Sequence, residues 1–256
     1  MTRVALVTGA GRGIGRAIAV ALARTGVAVA VAARTRGQID ATARDIRTAG
    51  GTALAVPLDV TDEAAIAPAL ASILSGLGPV DIVVNNAGIA EAAPFARTTQ
   101  ELWERHFRVN ATGPYLVTRA TLPGMLARGW GRVVNIASTA GLAGAPYVAA
   151  YTASKHALIG LTRALAAEVA GQGVTVNAVC PGFAATDIVW NGARAIAART
   201  GRGFDDAVAA MAQLNPGGRL IEPAEVAQVV LALIDDGERH GETVVLDGSV
   251  PERRTP

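Results

Sequence analysis

The chain has 256 residues, 51% hydrophobic and 17% charged, with a formal net charge of +2. That is ample for a core, and so small a charge on scattered basic residues points away from nucleic acid. One cysteine, Cys180, excludes an intrachain disulfide and paired-cysteine metal spacing and fits a reducing compartment.

The sequence enters a strand pattern by Val4 without a charged leader, and no apolar run approaches roughly 18 residues, so a cytoplasmic protein with no membrane partner is expected. Strands are expected at Arg3 to Thr8, Val27 to Ala33, Ala53 to Leu58, Val80 to Asn85, Arg132 to Ser138, Val174 to Cys180 and Thr243 to Leu246. Helical patterns lie between them near residues 14 to 25, 38 to 49, 62 to 76, 99 to 128, 152 to 170 and 223 to 235. Short apolar runs alternating with helices predict one doubly wound parallel α/β domain over residues 1–256. Residues 183–217 exceed the usual connection length and carry Trp190 and Met211, which predicts a lid over a site. The polar tail from Pro251 to Pro256 is expected to fray.

The first strand runs into Thr8-Gly9-Ala10-Gly11-Arg12-Gly13-Ile14-Gly15 and then a helix. Glycines there permit positive φ and let backbone N–H groups approach a pyrophosphate at the helix's positive end. The spacing is T-G-x-x-x-G-x-G and not the commoner G-x-G-x-x-G. At the end of the second strand, where a carboxylate would bind the ribose hydroxyls of NAD, the chain has Ala33 followed by Arg34, with Arg36 close by. Arg34, reinforced by Arg12, would meet a 2'-phosphate, so NADP(H) is expected over NAD(H). Asp59 after the third strand and Asn85-Asn86-Ala87-Gly88 after the fourth lie at strand carboxyl ends, where such sheets bind ligands.

Lys155 is the only lysine in a chain with 23 Lys and Arg residues. It follows Tyr151 by four residues, which on a helix puts both side chains on one face. A unit charge about 5 Å from the phenol would lower its pKa by roughly 2 units at an effective dielectric of about 20, making Tyr151 an acid or base. An ammonium is also a compact charge with three donors, which the flat arginine fork is not. Hydride transfer to a ketone leaves an alkoxide, so a proton source and an oriented hydroxyl are needed, and Ser138 at the end of the fifth strand supplies the second.

In this order, Thr8 to Gly15, Asp59, Asn85 to Gly88, Asn110, Ser138, Tyr151, Lys155 and Pro181-Gly182 followed by Thr186 resemble the short-chain dehydrogenase/reductase family. The resemblance spans nearly the whole chain, and residues 135–186 look most like bacterial ketoreductases of 3-oxoacyl thioesters or polyketides. It implies a Rossmann-like sheet ordered 3-2-1-4-5-6-7 and a catalytic tetrad of Asn110, Ser138, Tyr151 and Lys155. Asn110 would hold a water joining Lys155 to solvent, and Lys155 and Tyr151 would also touch the cofactor. Asp59 and Asn86, with Val60, Ala87 and Gly88, would flank the adenosine half. Pro181, Gly182, Ala184 and Thr186 would lie toward the nicotinamide end.

The expected activity is NADP-dependent interconversion of a ketone and a secondary alcohol, on a 3-oxoacyl-thioester-like or cyclic substrate, with no metal. A non-catalytic nucleotide sensor on this fold would keep the glycines but not need the tetrad. An NAD-dependent alcohol dehydrogenase of the same family would differ at the second strand's end, and a sugar epimerase could share the Tyr/Lys pair. His106, His156 and His240 are assigned no role. Around the 152–170 helix, Leu158, Ile159, Leu161 and Leu165 alternate with Ala157, Gly160, Ala164 and Ala167. Apolar surface on more than one side predicts cover by another subunit. With Tyr115, Leu116, Val117, Leu122 and Met125 of the preceding helix, it would build an intersubunit bundle in a homotetramer or homodimer.

Overall fold

The first strand, β1 (Val4–Thr8), is buried at every residue. Unbroken burial is what a parallel strand covered by helices on both faces requires, and it explains why the strands read as continuous apolar runs. The computed structural model describes residues 2–249; the tail from Pro251 to Pro256 lies outside them. The other strands are β2 (Ala28–Ala33), β3 (Ala53–Pro57), β4 (Ile82–Asn85), β5 (Gly131–Ile136), β6 (Val174–Pro181) and β7 (Thr243–Leu246). All pairings are parallel, and the seven strands form one sheet in the order β3-β2-β1-β4-β5-β6-β7.

Helices α1 (Gly13–Arg24), α2 (Arg36–Thr48) and α9 (Pro223–Asp235) cover one face. Ile18, Leu22, Ile39, Val230 and Leu233 are buried there against Val7, Val29 and Val134. Helices α3 (Glu63–Gly76), α5 (Gly113–Ala127) and α6 (Ala149–Glu168) cover the other, through Ile66, Ile73, Val117, Met125 and Ala166. Thr99 caps α4 (Gln100–Phe107) by accepting from Leu102 N at 3.1 Å. The 99–128 helix expected from the sequence is therefore present, but a π-helical stretch, Arg108–Thr112, joins α4 to α5 and places Asn110 inside.

The 183–217 segment folds as two helices, α7 (Asp187–Thr200) and α8 (Phe204–Ala212), packed on each other through Val189, Ala193, Ala207 and Met211. The expected intersubunit face is only partly available. Leu116, Val117 and Met125 are buried within their own chain, as are Leu158 and Ile159, because α5 and α6 lie flat on the sheet. Tyr115 remains exposed, as do the small residues Gly160, Ala164 and Ala167. Among the described residues no helix is long and apolar enough to cross a membrane.

Candidate active site

The strand order reverses direction between β1 and β4, opening a crevice at their carboxyl ends. There the Thr8 hydroxyl accepts from the backbone N–H groups of Asn86 and Ala87 at 3.0 and 3.1 Å. Asn86 Nδ2 in turn donates to Thr8 O and Gly9 O at 2.9 and 3.2 Å. A β carbon on Gly9 would stand 2.8 Å from Asn86 Nδ2, and one on Gly15 2.4 Å, so these glycines permit the close approach of the β1 and β4 ends. Gly13 has φ of 53°, which strains any residue with a β carbon.

The amino end of α1 carries no side-chain cap and no acidic residue in its first turn. Unsatisfied N–H groups at a positive helix end suit a pyrophosphate. Near the end of β2, Arg12 is paired with Asp187 at 2.7 Å and Arg36 with Asp40 at 3.2 Å. Arg34 is exposed and makes no ion pair among the described residues. The reinforcement expected from Arg12, and the nearby charge of Arg36, are thus each already engaged by a carboxylate. Asp59 is held by Thr61, whose N–H and hydroxyl donate to its Oδ1 at 2.9 and 2.8 Å. Val60 packs beneath the start of α5, where a β carbon on Gly113 would lie 2.7 Å from it.

The four tetrad candidates come from three parts of the chain and converge. Ser138 lies two residues beyond β5, buried, with its oxygen accepting from Ala140 N at 3.1 Å. Tyr151 and Lys155 share one face of α6, and Lys155 Nζ lies 5.9 Å from the Tyr151 ring centroid. That ammonium donates to Ile136 O at 2.8 Å. A β carbon on Gly88 would stand 3.3 Å from Asn110 Oδ1 and 3.6 Å from Lys155 Nζ, which ties the β4 end to the same spot. Asn110 makes no side-chain hydrogen bond to Lys155. Its Oδ1 accepts from Ile89 N at 2.9 Å, and its Nδ2 donates to Ile89 O and Ser154 Oγ, each at 3.0 Å.

The expected depression of the phenol by Lys155 is not what the structure shows. Enclosure by protein pushes Tyr151 above its ordinary pKa; the Ser138 hydroxyl pulls it back, and Cys180 adds to the rise. Enclosure also lowers Lys155 to about 8, against an opposing effect of Cys180. Removing water from each charged form outweighs the attraction between them at this separation, with the ammonium engaged by a carbonyl. At neutral pH the phenol therefore keeps its proton, and most Lys155 side chains keep theirs.

Beyond β6 the chain returns to the glycine loop. Gly182 has no room for a β carbon, which would stand 2.2 Å from Asn215 Oδ1. Buried Asn215 clamps this stretch, accepting from Phe183 N at 2.8 Å and donating to Phe183 O and Arg219 O at 2.9 and 2.6 Å. Ala184, beyond Pro181 and Gly182, forms a bridge to Ile221. The Thr186 methyl would lie 3.3 Å from a β carbon on Gly13, so this stretch borders the pyrophosphate loop.

Three supporting residues gave no usable signal in the sequence. His106, fully buried, packs edge-on to Tyr151 with ring centroids 6.3 Å apart. Its Nε2 accepts from Glu91 N at 3.1 Å and its Nδ1 faces Leu102 O at 2.8 Å, which assigns a neutral ring with the proton on Nδ1. Ser154 links Asn110 to Tyr151 O, donating to the latter at 2.7 Å. Asn215 is the third. Each acts through contacts distant in sequence or through the backbone.

The sequence profile described as short chain dehydrogenase matches residues 3–196. A chain of Streptomyces coelicolor provisionally named a ketoacyl reductase is 41% identical over 248 residues, 92% of this chain and 91% of that one. An acetoacetyl-CoA reductase of Shinella zoogloeoides is 39% identical over 250 residues, covering 97% of this chain and 98% of its own. Among solved structures, a point variant of actinorhodin polyketide ketoreductase with NADPH superposes with a TM-score of 0.93 at 38% identity, covering 96% of each chain. Fold, profile and full-length relatives agree: the chain belongs to the short-chain dehydrogenase family and is an oxidoreductase acting between CH–OH and carbonyl groups with a nicotinamide cofactor.

Proposed function

We propose that the chain is an NADPH-dependent ketoreductase acting on a 3-oxoacyl-thioester-like or cyclic ketone, with Tyr151 as the acid. The observation that carries this is geometric: the Tyr151 phenol faces the buried Ser138 hydroxyl just beyond the carboxyl end of β5, with the Lys155 ammonium 5.9 Å from its ring centroid. NADPH, when bound, supplies the hydride. The Ser138 hydroxyl donates a hydrogen bond to the ketone oxygen, and the Tyr151 O–H transfers its proton to that oxygen as the alcohol forms. The resulting phenolate is offset by the Lys155 ammonium until a proton returns from solvent. In oxidation the same phenolate is the base.

The amino end of α1, with Gly9, Gly13, Ile14 and Gly15, would hold the pyrophosphate. Asp59, Val60 and Asn86 to Gly88 would flank the adenosine, and Pro181, Gly182, Ala184 and Thr186 the nicotinamide. NADPH is favoured over NADH by Arg34, a cation with no carboxylate of its own among the described residues. Helices α7 and α8 serve as the substrate lid. The protein works in the cytoplasm as a homotetramer or homodimer, associating through α5 and α6. Initial rates of the purified protein against a ketone panel with NADPH and NADH test the reading. Turnover faster with NADPH is expected, and no turnover of any ketone with either cofactor would overturn it.

A further inference from the structure

Apolar surface around the sheet's carboxyl end extends well beyond what proton and hydride transfer need. Of ten large hydrophobic side chains exposed among the described residues, six lie on the loops and lid that follow β4, β5 and β6: Phe95, Leu142, Tyr147, Ile188, Phe204 and Leu214. Those are the strands whose ends carry Gly88, Ser138 and Thr186, so the exposed apolar side chains concentrate on the segments that border the site.

Tyr147 differs from the other five in its backbone. Its φ is 66°, and it is the one non-glycine residue with positive φ among the described residues. A β carbon is strained in that region, where glycine or asparagine fits with little cost. Packing does not compensate, because the residue is 66% exposed. The contact that fixes its backbone is main-chain only: its carbonyl accepts from Ala93 N at 2.8 Å, which joins the segment after Gly88 to the loop entering α6. Glycine would make the same bond. The chain thus carries an aromatic ring where the fold prefers none, four residues before Tyr151 and within about 13 Å of it by chain reach. Strain kept without structural return is a mark of function.

We propose that Tyr147 is a specificity-determining residue, an aromatic wall of the substrate mouth that selects ketones with an extended apolar or fused-ring body over small or polar ones. The proposal rests on the ketone-reduction reading and names the substrate class for that site. A flat ring offers a large apolar surface with few freedoms to lose, so it favours substrates with a face to stack against.

Steady-state kinetics with NADPH test it on 2-tetralone and methyl acetoacetate, using Tyr147→Gly and Tyr147→Asn, which keep the backbone conformation, and Tyr147→Phe, which keeps the ring. The glycine and asparagine variants should raise KM for 2-tetralone about tenfold, the loss of one aromatic contact, with kcat and the methyl acetoacetate KM within about twofold. Tyr147→Phe should match wild type. Melting temperatures of the first two should be unchanged or higher by about 1–3 °C, since strain is released. Lower melting temperature with both substrates impaired alike would make Tyr147 a structural residue and overturn the proposal. Unaltered kinetics in all three variants, or wild type reducing methyl acetoacetate but not 2-tetralone, would also overturn it. A wild type that reduces neither, nor any other ketone, would instead sink the functional reading beneath it.

Discussion

The burial of Lys155 opposes its charge. Its pKa in the folded chain is lowered to about 8, while unfolding returns it to the ordinary value of 10.5. Between those values the unfolded chain binds the proton that the folded chain has released, so stability rises as pH increases from about 8 to about 10.5, by up to about 3 kcal/mol. Tyr151, raised above its ordinary value of 10.0, acts oppositely above that pH, where the folded chain keeps a proton that the unfolded chain loses. Urea denaturation at a series of pH values checks this; Lys155→Met should abolish the rise, and an unchanged slope in that variant would assign it to other groups. Ketone reduction should fall as pH passes about 8, since loss of the ammonium removes the charge that offsets the phenolate. At the β2 end, Arg34→Ala should weaken NADPH binding by about 1.5–3 kcal/mol and NADH binding hardly at all, read by fluorescence titration with each cofactor. Equal losses would place the 2'-phosphate elsewhere.

At the scale of elements, the segment leaving β6 is held by one side chain. Asn215→Ala leaves the N–H of Phe183 and the C=O of Arg219 without their partner and should cost about 1–3 kcal/mol of local stability, exposing residues 183–217 to faster hydrogen exchange while the β1 to β5 core stays protected. Uniform exchange across the chain would show that the segment opens only with global unfolding. Most elements were legible in the sequence: β7 and α9 fall on the expected residues and the other expected ends coincide or move by up to three positions, whereas α7 and α8 were read only as a lid segment. Continuous apolar runs and glycine punctuation record local geometry, which sequence carries. The π-helical turn at Asn110 was not legible, because it depends on Ile89 and Ser154 reaching that amide across the fold. The pairing of Arg12 with Asp187, 175 residues later, was hidden for the same reason. Spacing put Lys155 beside Tyr151, but it could not show that both would be enclosed, and enclosure reverses the expected shift of the phenol.

For the whole molecule, α5 and α6 lay their large apolar residues on their own sheet and leave Tyr115 with Gly160, Ala164 and Ala167 outside. Small residues on a helix face permit close approach of a second helix, so light scattering at micromolar concentration should give a dimer or tetramer mass; a stable, active monomer would remove the proposed interface. The sheet order brings the ends of β1, β4, β5 and β6 to one crevice, where we propose that ketones are reduced with Tyr151 as the proton donor. The most direct test is Tyr151→Phe, assayed for turnover and titrated with NADPH in parallel. Turnover should fall about a thousandfold or more with the NADPH dissociation constant within about twofold of wild type. Turnover within a few fold of wild type would contradict that role.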